Sequence, residues 1–119
     1  MIVGIGIDII EIERIAKAYR RWGESFLRRV FTEAEISYCL SKHDPAPSLA
    51  ARFAAKEAAF KALSQAGFRT ESWQDISVLL TDNGEPSLKV TGDPEFQLHL
   101  SLSHSNASAV ALVIAEKDS

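Results

Sequence analysis

The sequence holds a single cysteine, Cys39, which excludes an internal disulfide and a cage of cysteine thiolates and gives no sign of an oxidising compartment. No stretch approaches the roughly 20 consecutive apolar residues that cross a bilayer, so a membrane-spanning helix is excluded. Residues 1–8 lack the basic flank of a secretory signal and reach an acid before any cleavage site, and the cytoplasm is the expected compartment. Positive charge is not in excess either. Thirteen basic against 16 acidic residues leave a formal net charge of −3, which gives no overall field to gather nucleic acid. There is no internal repeat and no low-complexity segment. What is present, 119 residues with 46% hydrophobic and 24% charged content, suits one soluble domain spanning 1–119.

The charge is unevenly spread. Residues 12–30 carry Arg14, Lys17, Arg20, Arg21, Arg28 and Arg29 against only Glu13 and Glu24, a cationic patch on an acidic protein. Ile12, Ile15, Tyr19, Trp22 and Phe26 recur there at helical spacing. Arg14, Lys17, Arg21 and Arg28 form another stripe of the same winding, and Gly23 is placed to interrupt or bend it. Before this helix, residues 2–10 are apolar and β-branched, a strand on which Gly4, Gly6 and Asp8 share one face. Thr32 and Glu35 form a capping box for a short helix that turns Ile36, Cys39 and Leu40 inward. Pro45 and Pro47 close the connection behind it. Ser48 is the expected N-cap of a long helix over residues 49–65, stopped at Gly67. Alanines at 50, 51, 54, 55, 58, 59 and 62 make it thin enough to lie close on a sheet, with Leu49, Phe53, Phe60 and Leu63 as bulky contacts.

From Ile76 onward the period becomes two. Residues 76–81 and 86–90 flank Asp82-Asn83-Gly84-Glu85 as a hairpin. Leucines alternate with polar residues over 97–104, and residues 109–115 are apolar enough for a strand buried on both faces. One strand, three helices and four strands predict an α+β fold with a mainly antiparallel sheet packed around the long central helix.

Asp8 is costly inside a strand of isoleucines. It either caps the helix that begins near Glu11 or holds a cation, and the two glycines on its side are expected to leave open volume for a ligand. Glu57 and Lys61, four residues apart on the alanine-rich helix, are an exposed ion pair worth about 0.3–0.5 kcal/mol, unless that helix is buried and they face a polar cleft. Magnesium takes few carboxylates together with waters and phosphate oxygens, so Asp8 and Glu57 suffice as its protein ligands. Lys61 is then placed to bind a phosphate or to donate a proton. His104, at a strand end before a turn, reads on its own as a surface histidine, and His43 and His99 read as structural.

Gly4-Ile5-Gly6-Ile7-Asp8 and Phe53-Ala54-Ala55-Lys56-Glu57-Ala58-Ala59-Phe60-Lys61-Ala62 resemble the two signature motifs of the 4'-phosphopantetheinyl transferases, Gly-x-Asp and aromatic-x-x-Lys-Glu-Ala-x-x-Lys. Phe31-Thr32-x-x-Glu35, Asn83-Gly84-x-Pro86 and Ser101-Leu102-Ser103-His104-Ser105 extend the similarity over effectively the whole chain, to the small single-domain holo-(acyl carrier protein) synthases. Phe53 stands where larger relatives carry Trp.

The resemblance implies the phosphopantetheinyl transferase fold. It also implies transfer of phosphopantetheine from coenzyme A to a serine of apo acyl carrier protein, in support of fatty acid biosynthesis. By the same resemblance Asp8 and Glu57 are the magnesium ligands and Lys61 lies near the coenzyme diphosphate. Arg52, Gly84, Pro86 and His104 belong to the coenzyme pocket. The serine proton goes to Glu57 or to a water held by Asp8 and the metal. A homotrimer with active sites at subunit interfaces is implied as well. Acyl carrier proteins are acidic, so Arg14, Lys17, Arg21 and Arg28 form a docking stripe for one. Two alternatives stay open: a magnesium-dependent nucleotide pyrophosphatase, and a non-catalytic module binding coenzyme A or carrier protein.

Overall fold

The computed structural model describes residues 1–118. Strand β1 (Ile2–Glu11) leads into α1 (Ile12–Trp22), α2 (Glu24–Val30), α3 (Glu33–Leu40) and the long α4 (Ala46–Gln65). A single 3-10 turn (Trp73–Asp75) then precedes β2 (Ile76–Leu80), β3 (Pro86–Val90), β4 (Gln97–His104) and β5 (Ser108–Glu116). The α+β expectation holds, with the strands divided between an antiparallel sheet of order β1-β5-β4 and the separate β2-β3 hairpin. Among the described residues four α-helices replace the expected three because Gly23, at φ 56°, ends α1 and starts α2. Arg28 therefore belongs to a different helix from Arg14, Lys17 and Arg21. Among the described residues no helix is long and apolar enough to cross a membrane.

Helix α4 lies directly on β1, and the two glycines explain how. A Cβ on Gly4 would sit 2.0 Å from the Ala62 carbonyl oxygen, and one on Gly6 would sit 1.8 Å from that of Ala58. The volume expected to be open for a ligand is filled by helix backbone, because a strand and helix can approach this closely only where the strand side chain is a hydrogen. Alanines 50, 51, 54, 55, 58, 59 and 62 are all buried. Replacing Gly6 by alanine must drive α4 off β1. The G6A variant is expected to lose about 3 kcal/mol or more, beyond the usual range for overpacking because the obstacle is backbone. Chemical denaturation would measure it.

α4 begins three residues before the expected Leu49. Pro45 is its N-cap and Pro47 stands inside the first turn, where the missing N–H is not needed and the fixed φ suits a helix. Ser48 is thus an internal residue. The other end is as expected, with Gly67 at φ 81° and Phe68 N donating to Leu63 O at 2.9 Å. The α3 capping box is also present, but Leu40, expected to point inward, is exposed while Cys39 is fully buried. Burial pushes the Cys39 thiol up to about 11, so it is an inert thiol at neutral pH.

Glu35 does more than cap. It is buried, its Oε1 accepts from Thr32 N at 2.8 Å and from Lys56 Nζ at 2.6 Å, and its Oε2 accepts from Val78 N at 2.7 Å. Lys56 Nζ also donates to Val30 O at 2.8 Å. One carboxylate and one ammonium thereby join α2, α3, α4 and β2. Burial holds the Lys56 ammonium below the ordinary lysine pKa, and the Glu35 charge opposes that shift. Lys56 shares the stripe of Leu49, Arg52, Ala59 and Leu63, all of them buried. That spacing was the sequence signal for an inward lysine.

Strand β5 was expected to be buried on both faces, but only Ala109, Ala111, Val113 and Ala115 are buried. The opposite face carries the cross-strand pairs Ile5–Ile114, Ile7–Leu112 and Ile9–Val110. Ile7 and Ile9 on it are 60% and 70% exposed. An apolar ladder of this kind leaves one side of the sheet without a covering layer.

Candidate active site

The contact between α4 and β1 brings Asp8, Glu57 and Lys61 together although Asp8 is far from the other two in sequence. Lys61 Nζ donates to Ile7 O at 2.8 Å and to Asp8 Oδ1 at 3.3 Å. The Asp8 side chain is 19% exposed and that of Lys61 is 50% exposed, so the group opens to solvent on the lysine side. Burial raises the proton affinity of Glu57 above the ordinary glutamate value. The Asp8 charge adds to the shift and Lys61 offsets part of it. Two carboxylates that repel each other beside one lysine form a donor set suited to a hard divalent cation. Among the described residues no third His, Cys, Asp or Glu joins them, which leaves the remaining positions on such a cation to water or phosphate oxygen.

Along α4, Phe53 and Phe60 lie one turn to either side of Glu57. Trp73 stacks on Phe53 with centroids 5.2 Å apart and meets Phe60 edge-on at 5.3 Å. Phe53 and Phe60 are bulky contacts as expected, but no signal in the sequence points to Trp73 as their partner, because it sits in a stretch with no clear period.

A second group forms around α4's first half. Arg52, Pro86 and His104 line one cleft of about 260 Å³ together with Tyr38, Ser48 and Ser103. Gly84, expected in the same pocket, stands at the β2-β3 turn with φ 81° and does not line the cleft. Arg52 is 6% exposed; its Nη1 reaches Ser48 O at a long 3.4 Å, and its buried Nε has no partner among the described residues. His104 Nδ1 lies 3.3 Å from Ser105 O. His99 pairs with Glu116 at 3.0 Å on the surface.

Arg14, Lys17, Arg21 and Arg28 are all exposed. Arg28 lies 3.9 Å from Glu24, and the Arg21 guanidinium stands 4.9 Å from the centre of the Trp22 ring. Among the described residues, Arg14 and Lys17 have no carboxylate partner, so their charge is free to act outward.

Residues 4–115 match the 4'-phosphopantetheinyl transferase superfamily. The holo-[acyl-carrier-protein] synthase of Chlorobaculum tepidum is 46% identical over 114 residues, covering 94% of this chain and 97% of the relative. That of Chloroherpeton thalassium is 47% identical over 118 residues, covering 96% and 98%. Among solved structures, a holo-(acyl-carrier-protein) synthase from Bacillus anthracis in complex with CoA (3',5'-ADP) superposes with a TM-score of 0.84 at 41% identity, covering 99% of each chain. With a family match over nearly all its length, close relatives of the same size and a shared fold, this chain belongs to the 4'-phosphopantetheinyl transferase superfamily.

Proposed function

We propose that the protein moves the 4'-phosphopantetheine arm of coenzyme A onto a serine of an apo acyl carrier protein, releasing 3',5'-ADP and supplying holo carrier protein for fatty acid biosynthesis in the cytoplasm. The observation that carries this reading is the convergence of Asp8, Glu57 and Lys61 at the α4-β1 contact in a chain of this family. The serine oxygen forms a bond to the β-phosphorus, and the bond from that phosphorus to the oxygen bridging to the α-phosphate breaks. Glu57, or a water that Asp8 and a cation there would hold, takes the serine proton. Lys61 meets the negative charge that grows on the departing phosphate. Magnesium held by Asp8 and Glu57 would supply further neutralisation of the diphosphate. The cleft of Arg52, Pro86 and His104 is the coenzyme pocket, and the unpaired Nε of Arg52 suits it to an anion.

Intact mass spectrometry tests the reading. Apo carrier protein incubated with the protein, coenzyme A and magnesium gains one phosphopantetheine, and a chelator prevents the gain. Release of 3',5'-ADP without carrier protein would favour a pyrophosphatase, and no reaction at all a binding module.

The exposed Arg14, Lys17, Arg21 and Arg28 dock the acidic carrier protein. In the Arg14→Glu variant the KM for carrier protein is expected to rise about tenfold or more, since reversing a charge turns attraction into repulsion. The KM for coenzyme A should not move; steady-state kinetics with each substrate varied in turn checks both. The apolar ladder of Ile5, Ile7, Ile9 and Leu112 is covered by further copies of the chain in a homotrimer whose active sites lie at the subunit interfaces. Sedimentation should give a trimer mass at micromolar concentration, and a fully active monomer would refute the assembly.

A further inference from the structure

We propose that Tyr38 is the positioning residue of the coenzyme pocket, its ring holding the Arg52 guanidinium in place without neutralising it. The inference rests on reading that cleft as the place where coenzyme A binds. A buried guanidinium ordinarily has a carboxylate beside it, because an unpaired ion loses its hydration for nothing in return. Arg52 is buried, yet among the described residues no carboxylate oxygen lies within salt-bridge distance of it. What supports it is the Tyr38 ring, whose centre is 4.3 Å from the guanidinium carbon. Lys42 Nζ stands 4.6 Å from the centre of the same ring, so one aromatic side chain carries two cations.

The choice of a ring has a chemical consequence. A carboxylate in that place would occupy the guanidinium donors and repel a phosphate approaching them. An aromatic face attracts the cation through its quadrupole and carries no net charge, which leaves the donors to an anion of the ligand. The unpaired Nε and the long bond to Ser48 O are what such an arrangement leaves unused. The ring is itself held firmly, since Tyr38 lies one turn beyond Glu35 on α3 and Glu35 is bonded to α4 and β2. No hydrogen bond of the Tyr38 hydroxyl occurs among the described residues, so the face and not the hydroxyl is the working part.

The test compares wild type with Tyr38→Phe and Tyr38→Leu, measuring kcat and the KM for coenzyme A at saturating carrier protein. The Phe variant should match wild type. The Leu variant should show a KM for coenzyme A raised about tenfold, with kcat and the KM for carrier protein little changed. An unchanged KM in the Leu variant, a loss confined to kcat, or a failure of Phe to preserve the wild-type KM would each overturn the proposal. If Leu does not fold, Tyr38→Met replaces it under the same criteria. Should wild type transfer nothing to carrier protein, the functional reading falls separately. Calorimetric binding of 3',5'-ADP to the same variants then decides the role of Tyr38: weakening by Leu with retention by Phe supports it, and equal binding refutes it.

Discussion

Asp8→Asn and Glu57→Gln are each expected to lower kcat/KM for phosphopantetheine transfer by about 10³-fold or more, because in the proposed scheme each weakens the hold on the cation that would neutralise the diphosphate. Near wild-type turnover in both would end the scheme. The effect of Glu57→Gln on stability should go the other way. The folded state raises the proton affinity of Glu57 by burial and by the Asp8 charge, so the folded protein prefers this group neutral. That preference is fully expressed below the ordinary glutamate value and lost as pH rises through the raised one. At neutral pH and without metal, Glu57→Gln should therefore melt at or above the wild-type temperature, and the difference should vanish on acidification. Magnesium should raise the wild-type melting temperature and leave that of Glu57→Gln nearly unchanged. Thermal melts across pH, with and without the metal, separate these arms. A gain in stability beside a loss of activity marks a group placed for chemistry.

Lys56→Met carries the largest expected structural effect. It leaves the Glu35 carboxylate buried without its cation, a change that costs about 3–5 kcal/mol and should lower the melting temperature by roughly 10–20 °C in a domain of this size. Adding Glu35→Gln removes the stranded charge while keeping an oxygen for Val78 N–H. The double variant should regain a large part of the loss, and its coupling energy would report the pair directly. A Lys56→Met protein within 1 kcal/mol of wild type in denaturant titrations would show that the junction of four elements does not depend on this ion pair.

Local signals in the sequence suffice where one segment decides its own fate. Asn83-Gly84 between alternating runs gave the β2-β3 hairpin, Thr32 with Glu35 gave the start of α3, and Gly23 gave the break between α1 and α2. What stayed hidden depends on a partner distant in the chain. Gly4 and Gly6 look like empty space until α4 lies against them. The helical stripe of Lys56 turns it inward, but its partner Glu35 is legible only once α3 and β2 close over it. Tyr38 has no meaning before Arg52 reaches its face. The site divides in the same way: Glu57 and Lys61 share a helix face by spacing alone, while joining them to Asp8 rests on the chemistry of a magnesium site and on the resemblance, and on no local pattern. The start of α4 was misplaced because Ser48 is a good cap in isolation, whereas Pro45 and Pro47 permit an earlier start.

The main-chain contact between α4 and β1 also bears on how this protein can change over time. Asp8 on β1 and Glu57 and Lys61 on α4, carried on elements that touch backbone to backbone, keep their spacing whatever happens to side-chain volumes elsewhere in the interior. Core positions such as Leu63, Val113 or Ile76 are thus free to exchange among apolar residues of similar bulk. Gly4 and Gly6 have no alternative at all, so tolerance to mutation should be broad across the core and absent at these two sites.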